Sequence, residues 1–264
     1  MQLTEVALYR RAIRASIASV WDNVLDWAHL PWLHHTTFRS IDATQAGPGG
    51  WTAHIEMQPG GADHRLTVEL RIERSASRYV ARTTAGAGIG SEIWTTLTPT
   101  TDEETDIEVR FLVPECEPAL ADALGTGYLA TYRQLWDEDE AMMVRRDAHL
   151  AGAGATPTDV SAPIDLGRLE SVRTQLPLLV EMAGRTYRVV EIEGALVAHA
   201  TVCPHMLGPL EEAPLEGTCV RCPWHGYLFD VRTGRQTGGE GLRLAPAPRI
   251  EIDPVSTEVQ LGFD

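Results

Sequence analysis

The feature that most constrains this chain is a pair of short loops, Cys203-Pro204-His205 and Cys222-Pro223-Trp224-His225-Gly226, with sixteen residues between His205 and Cys222. Ordinary zinc sites group their ligands as C-x-x-C or H-x₃₋₅-H pairs, so that one loop supplies one kind of donor. Here each loop supplies one cysteine and one histidine. That set suits a [2Fe–2S] cluster in which both cysteines bind one iron and both histidines the other, so the two loops clasp it from opposite sides.

The rest of the chain has to accommodate that clasp. Its 264 residues suffice for two modest domains, each with a core of its own. The stretch from Leu150 to about Pro163 is small, polar and free of large side chains, which predicts a division into residues 1–150, a linker at 151–162 and a second domain at 163–264. Every basic residue is arginine, and the formal charge of -15 argues against nucleic acid and anionic membranes as partners. No apolar run is long enough to span a bilayer. Arg10-Arg11 is followed by another arginine rather than an apolar stretch, so the pair is not read as an export signal, and a cytoplasmic protein is expected. Four cysteines are too few for a disulfide scaffold, and two of them belong to the loops above.

Periodicity in the first domain predicts an α+β fold. A strand runs over Leu3–Arg14 and a helix over Ala18–Trp27, with Ser16 or Ser19 as its cap. Six alternating runs follow, Phe38–Ala43, Trp51–Met57, Arg65–Glu73, Tyr79–Thr84, Glu92–Thr98 and Asp106–Val113, and a long helix closes the domain over Pro118–Ala148. An antiparallel sheet wrapped around a helix leaves a ligand cavity between them. The second domain reads as all-β, with strands at Leu178–Glu181, Arg185–Ile192, Leu196–Thr201, Cys219–Arg221, Leu228–Asp230 and Arg249–Ile252.

A second metal site is expected in the first domain. Asp26 and His29 lie three apart at the end of the predicted helix, Pro31 ends it, and the following turn can bring His34 back toward His29. Two imidazoles and one carboxylate form a facial triad that leaves positions on Fe(II) open for oxygen. In the closing helix, Asp139 falls within the apolar stripe Leu124, Tyr128, Tyr132, Leu135, Trp136, Met142 and Met143, where a carboxylate is costly to bury without a positive partner. Asp137, Glu138 and Glu140 are its neighbours and alternative ligands. Taken singly, such histidines are more often hydrogen-bonded or solvated than metal-bound.

The second domain resembles the Rieske family throughout. The likeness rests on Cys203, His205, Cys222 and His225, with the flanking Leu207-Gly208-Pro209-Leu210, Tyr227-Leu228-Phe229-Asp230 and Thr233-Gly234. Where high-potential members add a disulfide, this chain has Gly208 and Trp224; where they place Ser and Tyr donors, it has Tyr227 and Phe229. Fewer donors imply a potential toward the low end of the Rieske range, about -150 mV. The first domain is similar to the START-like catalytic domain of Rieske non-heme iron oxygenases, through Asp22-Asn23, Asp26, His29 and His34 and the segment Trp136–Met143. The domain order is reversed relative to that family. The resemblance implies a terminal oxygenase with mononuclear Fe(II) at His29, His34 and Asp139 and a small apolar substrate oxidised with O₂. Asp26 would bridge His29 to the Rieske His225, usually across neighbouring subunits of a ring, commonly a trimer. No G-x-G-x-x-G nucleotide loop stands in a strand–turn–helix context, so electrons come from an external reductase or ferredoxin. The other reading is a Rieske electron carrier or redox sensor fused to a ligand-binding domain without the second iron. A third is a cyclase or isomerase that uses the cavity without oxygen.

Overall fold

The computed structural model describes residues 2–152, 162–239 and 241–263. Residues 153–161 of the expected linker lie outside them. The chain divides into two compact units, Met1–Asp147 and Ala148–Asp264.

In the first unit, β1 (Leu3–Ile13) is followed by α1 (Ile17–Leu25), a 3-10 turn at Trp27–His29 and α2 (Leu30–Leu33). Six strands then succeed one another: β2 (Phe38–Gly47), β3 (Gly50–Met57), β4 (Arg65–Glu73), β5 (Arg78–Gly86), β6 (Glu92–Pro99) and β7 (Thr105–Pro114). The long helix α3 (Pro118–Gly152) closes the unit. The seven strands form one antiparallel sheet in the order β1-β7-β6-β5-β4-β3-β2. Consecutive hairpins account for β2 to β7, while β1 returns to close the far edge against β7.

Alternation decides which face is buried. In β7, Ile107, Val109, Phe111 and Val113 point inward, while Asp106 and Arg110 point out. The inner face packs on α3, where Phe111 stacks on Tyr128 at 4.8 Å and meets Tyr132 edge-on at 4.7 Å. Gly125 is what lets α3 approach β1, since a Cβ there would stand 2.3 Å from the Val6 carbonyl oxygen. Glu140 fixes the helix further along. Its carboxylate accepts from the Arg14 amide and Nε, each at 3.0 Å, and pairs with Arg11.

Helix α1 starts where Ser16 accepts the Ser19 amide at 3.1 Å, so Ser16 is the cap. It ends earlier than the sequence suggests, at Leu25, with the Asp26 amide bonded to Asp22 and Asn23. Pro31 does not end that helix; it sits in the first turn of α2, where its missing N–H and fixed φ are tolerated. Asp26 and His29 are accordingly placed by a turn rather than by one helix face.

The second unit is built from three small sheets. β8 (Ile164–Arg168), β16 (Arg249–Ile252) and β17 (Glu258–Gly262) form one, with α4 (Leu169–Thr174) after β8. β9 (Leu178–Met182), β10 (Arg185–Ile192) and β11 (Ala195–Ala200) form the second. β12 (Leu215–Glu216), β13 (Cys219–Arg221), β14 (Leu228–Asp230) and β15 (Gln236–Thr237) form the third. The sequence pattern does not reveal β8, β12, β15 and β17. No helix among the described residues is long and apolar enough to cross a membrane.

Candidate metal centres

The two cysteine–histidine loops share one backbone design. After β11, the Cys203 amide bonds to the Gly208 carbonyl at 2.9 Å, and Leu207 donates back to the Cys203 carbonyl at 3.1 Å. After β13, the Cys222 amide bonds to the Tyr227 carbonyl at 2.8 Å, and Gly226 donates back to the Cys222 carbonyl at 2.9 Å. In both loops the residue four after the cysteine has a left-handed φ, +63° at Leu207 and +69° at Gly226. The result is two concave loops with their thiols turned inward. The amides of His205 and Met206 face the Cys203 sulfur, and those of Trp224 and His225 face the Cys222 sulfur. Such amides stabilise a thiolate.

The thiols, both buried, are hydrogen-bonded to each other; that contact and burial raise the Cys203 pKa, while the same contact lowers that of Cys222. The rings of His205 and His225 meet edge-on at 4.5 Å. Sulfur donors and nitrogen donors thus form two adjacent pairs. Gly208 shows that the space is reserved: a Cβ there would lie 2.7 Å from the Cys222 sulfur and 3.2 Å from the Trp224 ring. These donors fit a [2Fe–2S] cluster with cysteine on one iron and histidine on the other. Cys219 stands outside the set. It is half-buried in β13 rather than buried as a core residue, and its sulfur contacts the Thr218 hydroxyl at 3.8 Å.

In the first unit, the turn after α1 supplies His29, the end of α2 supplies His34, and α3 supplies Asp139. The Asp139 Oδ1 lies 3.4 Å from His29 Nε2, 3.1 Å from His34 Nε2 and 3.1 Å from Asn23 Nδ2, which donates to it. Both imidazoles are buried, and one donor atom from each of His29, His34 and Asp139 lies within 4.8 Å of the others. The remaining ring nitrogens face carboxylates. Glu138 Oε2 is 2.6 Å from His34 Nδ1, and Asp26 Oδ2 is 3.6 Å from His29 Nδ1. The Glu138 carboxylate behind His34 holds a proton on Nδ1, and Asp26 faces His29 Nδ1 at ion-pair distance, so each imidazole has a carboxylate behind it, the arrangement that orients histidines on metals.

The acids in this part of α3 have separate tasks. Glu138 backs His34, Asp139 faces both imidazoles, and Asp137 and Glu140 pair with Arg11. Burial opposes protonation of His29, but Asp139 and Asp26 outweigh it and push its pKa up to about 9. Burial likewise opposes ionisation of Asp139, yet His29 and His34 hold its carboxyl below the ordinary range. Two buried imidazoles facing one carboxylate also suit a divalent cation, which would take the place of protons between them. The donor set of two imidazoles and one carboxylate fits ferrous iron.

The triad lies in the wall of a cavity of about 560 Å³ between the sheet and α3, lined mostly by apolar side chains such as Leu30, Phe38, Ile55, Met57 and Val68. Burial raises the phenol pKa values of Tyr79 and Tyr132, which also line it, so both stay neutral. The sequence reading did not anticipate the Glu138 contact or its support: Gln134 donates to Glu138 at 3.0 Å and to the Thr36 hydroxyl at 2.6 Å. The i, i+4 spacing of Gln134 and Glu138 was the available signal.

Comparison with known proteins agrees for the second unit. The profile of the Rieske [2Fe-2S] domain matches residues 163–246. The ferredoxin component of the naphthalene 1,2-dioxygenase system of Pseudomonas aeruginosa is 36% identical over 81 residues, which cover 31% of this chain and 73% of that protein. Apoptosis-inducing factor 3 of Homo sapiens is 32% identical over 74 residues, 28% of this chain, and the chain spans only 12% of its length. The chain belongs to the Rieske [2Fe–2S] family, and its second unit is an electron-transfer module. Among solved structures, norcoclaurine synthase from Thalictrum flavum covers 54% of this chain and 87% of its own, at 17% identity and a TM-score of 0.44. The Zhui aromatase/cyclase from Streptomyces sp. R1128 covers 55% and 96%, at 12% identity and a TM-score of 0.45.

Proposed function

We propose that this chain is a Rieske-type non-heme iron oxygenase with its catalytic domain at residues 1–150 and its Rieske domain at 163–264, joined through 151–162. It oxidises a small apolar molecule with O₂, using electrons from an external reductase or ferredoxin. The observation that carries this reading is the meeting of His29 Nε2, His34 Nε2 and the Asp139 carboxylate in the wall of an apolar cavity. Ferrous iron held by these three residues would supply activation of O₂, with electrons arriving through a [2Fe–2S] centre held by Cys203, His205, Cys222 and His225.

The protein's own residues prepare that site. Glu138 and Asp26 stand behind the Nδ1 atoms of His34 and His29, so that a metal taking the place of the protons at Nε2 would meet both nitrogens beside Asp139. Asn23 donates to Asp139 Oδ1 and limits rotation of the carboxylate. The apolar walls exclude bulk water and hold the substrate beside the triad by area rather than by charge. That the chain resembles the ferredoxin component of an oxygenase system is consistent with this redox context.

The test is iron per chain, combined with EPR of the reduced protein before and after nitric oxide. About three irons, with a high-spin signal that appears only with nitric oxide, are expected for a cluster plus a mononuclear site. About two irons and no such signal leave an electron carrier fused to a ligand-binding domain. Substrate-dependent O₂ uptake then separates an oxygenase from a cyclase that uses the same cavity.

A further inference from the structure

The lining residues contributed by α3 describe the shape of the cavity. They recur on one face from Ala123 to Asp139, sixteen residues apart, which spans about 24 Å at 1.5 Å per residue. The two ends differ. At the inner end His29 and His34 are buried, at 3% and 1% exposure, and Leu135 and Trp136 fill the helix face. At the outer end, the lining is Ala123 and Gly127 on α3 with Ala87 and Gly88 in the β5–β6 loop, and all four are exposed. The cavity is therefore an elongated channel, with the triad at its floor and its mouth between the first turns of α3 and the loop after β5.

Charge has the same polarity. Every Asp and His side chain in the lining, Asp26, His29, His34 and Asp139, belongs to the triad and its surround; the remainder of the lining is apolar or carries neutral hydroxyls and amides. A charged group held midway would be desolvated without a partner. Gly127 is the critical position toward the mouth. It faces the channel, and a Cβ built on it meets nothing within 4 Å, so larger side chains at this position extend into open space.

The geometry points to a substrate that is an uncharged, elongated molecule lying along α3 from the triad toward the mouth, with Gly127 as the residue that sets the permitted length. This rests on the cavity being the substrate site of the oxygenase read above. Gly127 stands twelve residues before Asp139, about 18 Å along the helix, so a two-ring occupant seated on the triad stops well short of it, while a three-ring one comes close enough for a Phe side chain there to meet its end.

The probes are 4,4'-dihydroxybiphenyl and the one-ring-longer 4,4''-dihydroxy-p-terphenyl, measured by equilibrium dialysis against the full-length protein as purified, without O₂ or reductant. The wild type is expected to bind the terphenyl at least tenfold more tightly than the biphenyl. Gly127→Phe is expected to weaken the terphenyl at least tenfold and to leave the biphenyl within twofold. Replacing a glycine in a helix interior also favours the helix, and Gly127→Val gives the same ordering in smaller measure should the Phe variant not fold. Equal losses for both probes, no loss for either, or no preference of the wild type for the longer probe overturns the assignment. Dialysis requires neither turnover nor the third iron. An iron content of about two would thus remove the oxygenase reading and leave length selection standing, whereas lost length selection with about three irons would do the reverse.

Discussion

The contact between Glu138 and His34 permits the sharpest test of the metal site proposed for the first unit. Glu138 Oε2 stands 2.6 Å from His34 Nδ1, and its other oxygen accepts from Gln134 at 3.0 Å, so the carboxylate is held in one orientation. An ionised carboxylate only accepts, so Nδ1 must carry a proton, and a metal that displaces the proton between Nε2 and Asp139 would find its lone pair on Nε2. Glu138→Gln preserves the shape but removes both the charge and that compulsion. Losses of this kind typically weaken metal binding 10–100-fold, equivalent to about 1.4–2.8 kcal/mol at 1.4 kcal/mol per decade. Glu138→Ala, which also frees the ring to rotate, belongs at the upper end. The assay is competition for Fe(II) against a chelator of known affinity, with the EPR signal of the reduced cluster as an internal standard that stays unchanged. Asp139→Asn removes a ligand and should cost more than Glu138→Gln. Affinities within twofold of wild type for both Glu138 variants would refute the tautomer argument. A larger loss at Glu138→Gln than at Asp139→Asn would exchange the two roles.

Glu140→Ala should destabilise the first unit by about 3 kcal/mol, the low end for a broken buried ion pair, because the Arg14 side chain left behind is mostly solvated. Arg14 and Arg11 outweigh burial and hold the Glu140 pKa below its ordinary value, so this stabilisation is full above the ordinary carboxylate range and fades as pH falls through the folded-state value. The gap between wild type and Glu140→Gln in urea melts followed by tryptophan fluorescence, six of the seven tryptophans lying in the first unit, should therefore narrow on acidification; a constant gap contradicts it. Gly208→Ala places a methyl 2.7 Å from the Cys222 sulfur and should deplete the cluster while sparing the proposed mononuclear iron, read as loss of visible absorption with nitric-oxide EPR retained. Phe229, fully buried with no hydroxyl to offer, supports a cluster potential near -150 mV, and a redox titration above roughly +150 mV would contradict it.

How far each site was legible in the sequence depends on how its residues are connected. The cluster loops were legible because each is a closed local unit whose donors lie within four residues, so spacing alone specifies them. Asp139 was legible for a different reason, since an acid inside the apolar stripe of a long helix requires a partner. The turn holding His29 and His34 was read through the wrong device: Pro31 looked like a helix terminator, yet α1 had already ended at Leu25 and the proline begins α2. β8 and β17 pair across some ninety intervening residues, so no local hairpin marks either of them. The helical reasoning that revealed Asp139 offered Glu138 only as an alternative ligand, not as a partner of the other His34 nitrogen. Adjacent helix residues diverge by about 100°, so a face-by-face reading treats the two acids as rivals for one place. An imidazole has donor positions on opposite sides of its ring, and His34 spans that divergence, with Nε2 toward Asp139 and Nδ1 toward Glu138. Two successive acids opposite one buried histidine therefore read as a ligand and its counterpart's orienting partner, a relation that helical periodicity alone treats as a contradiction.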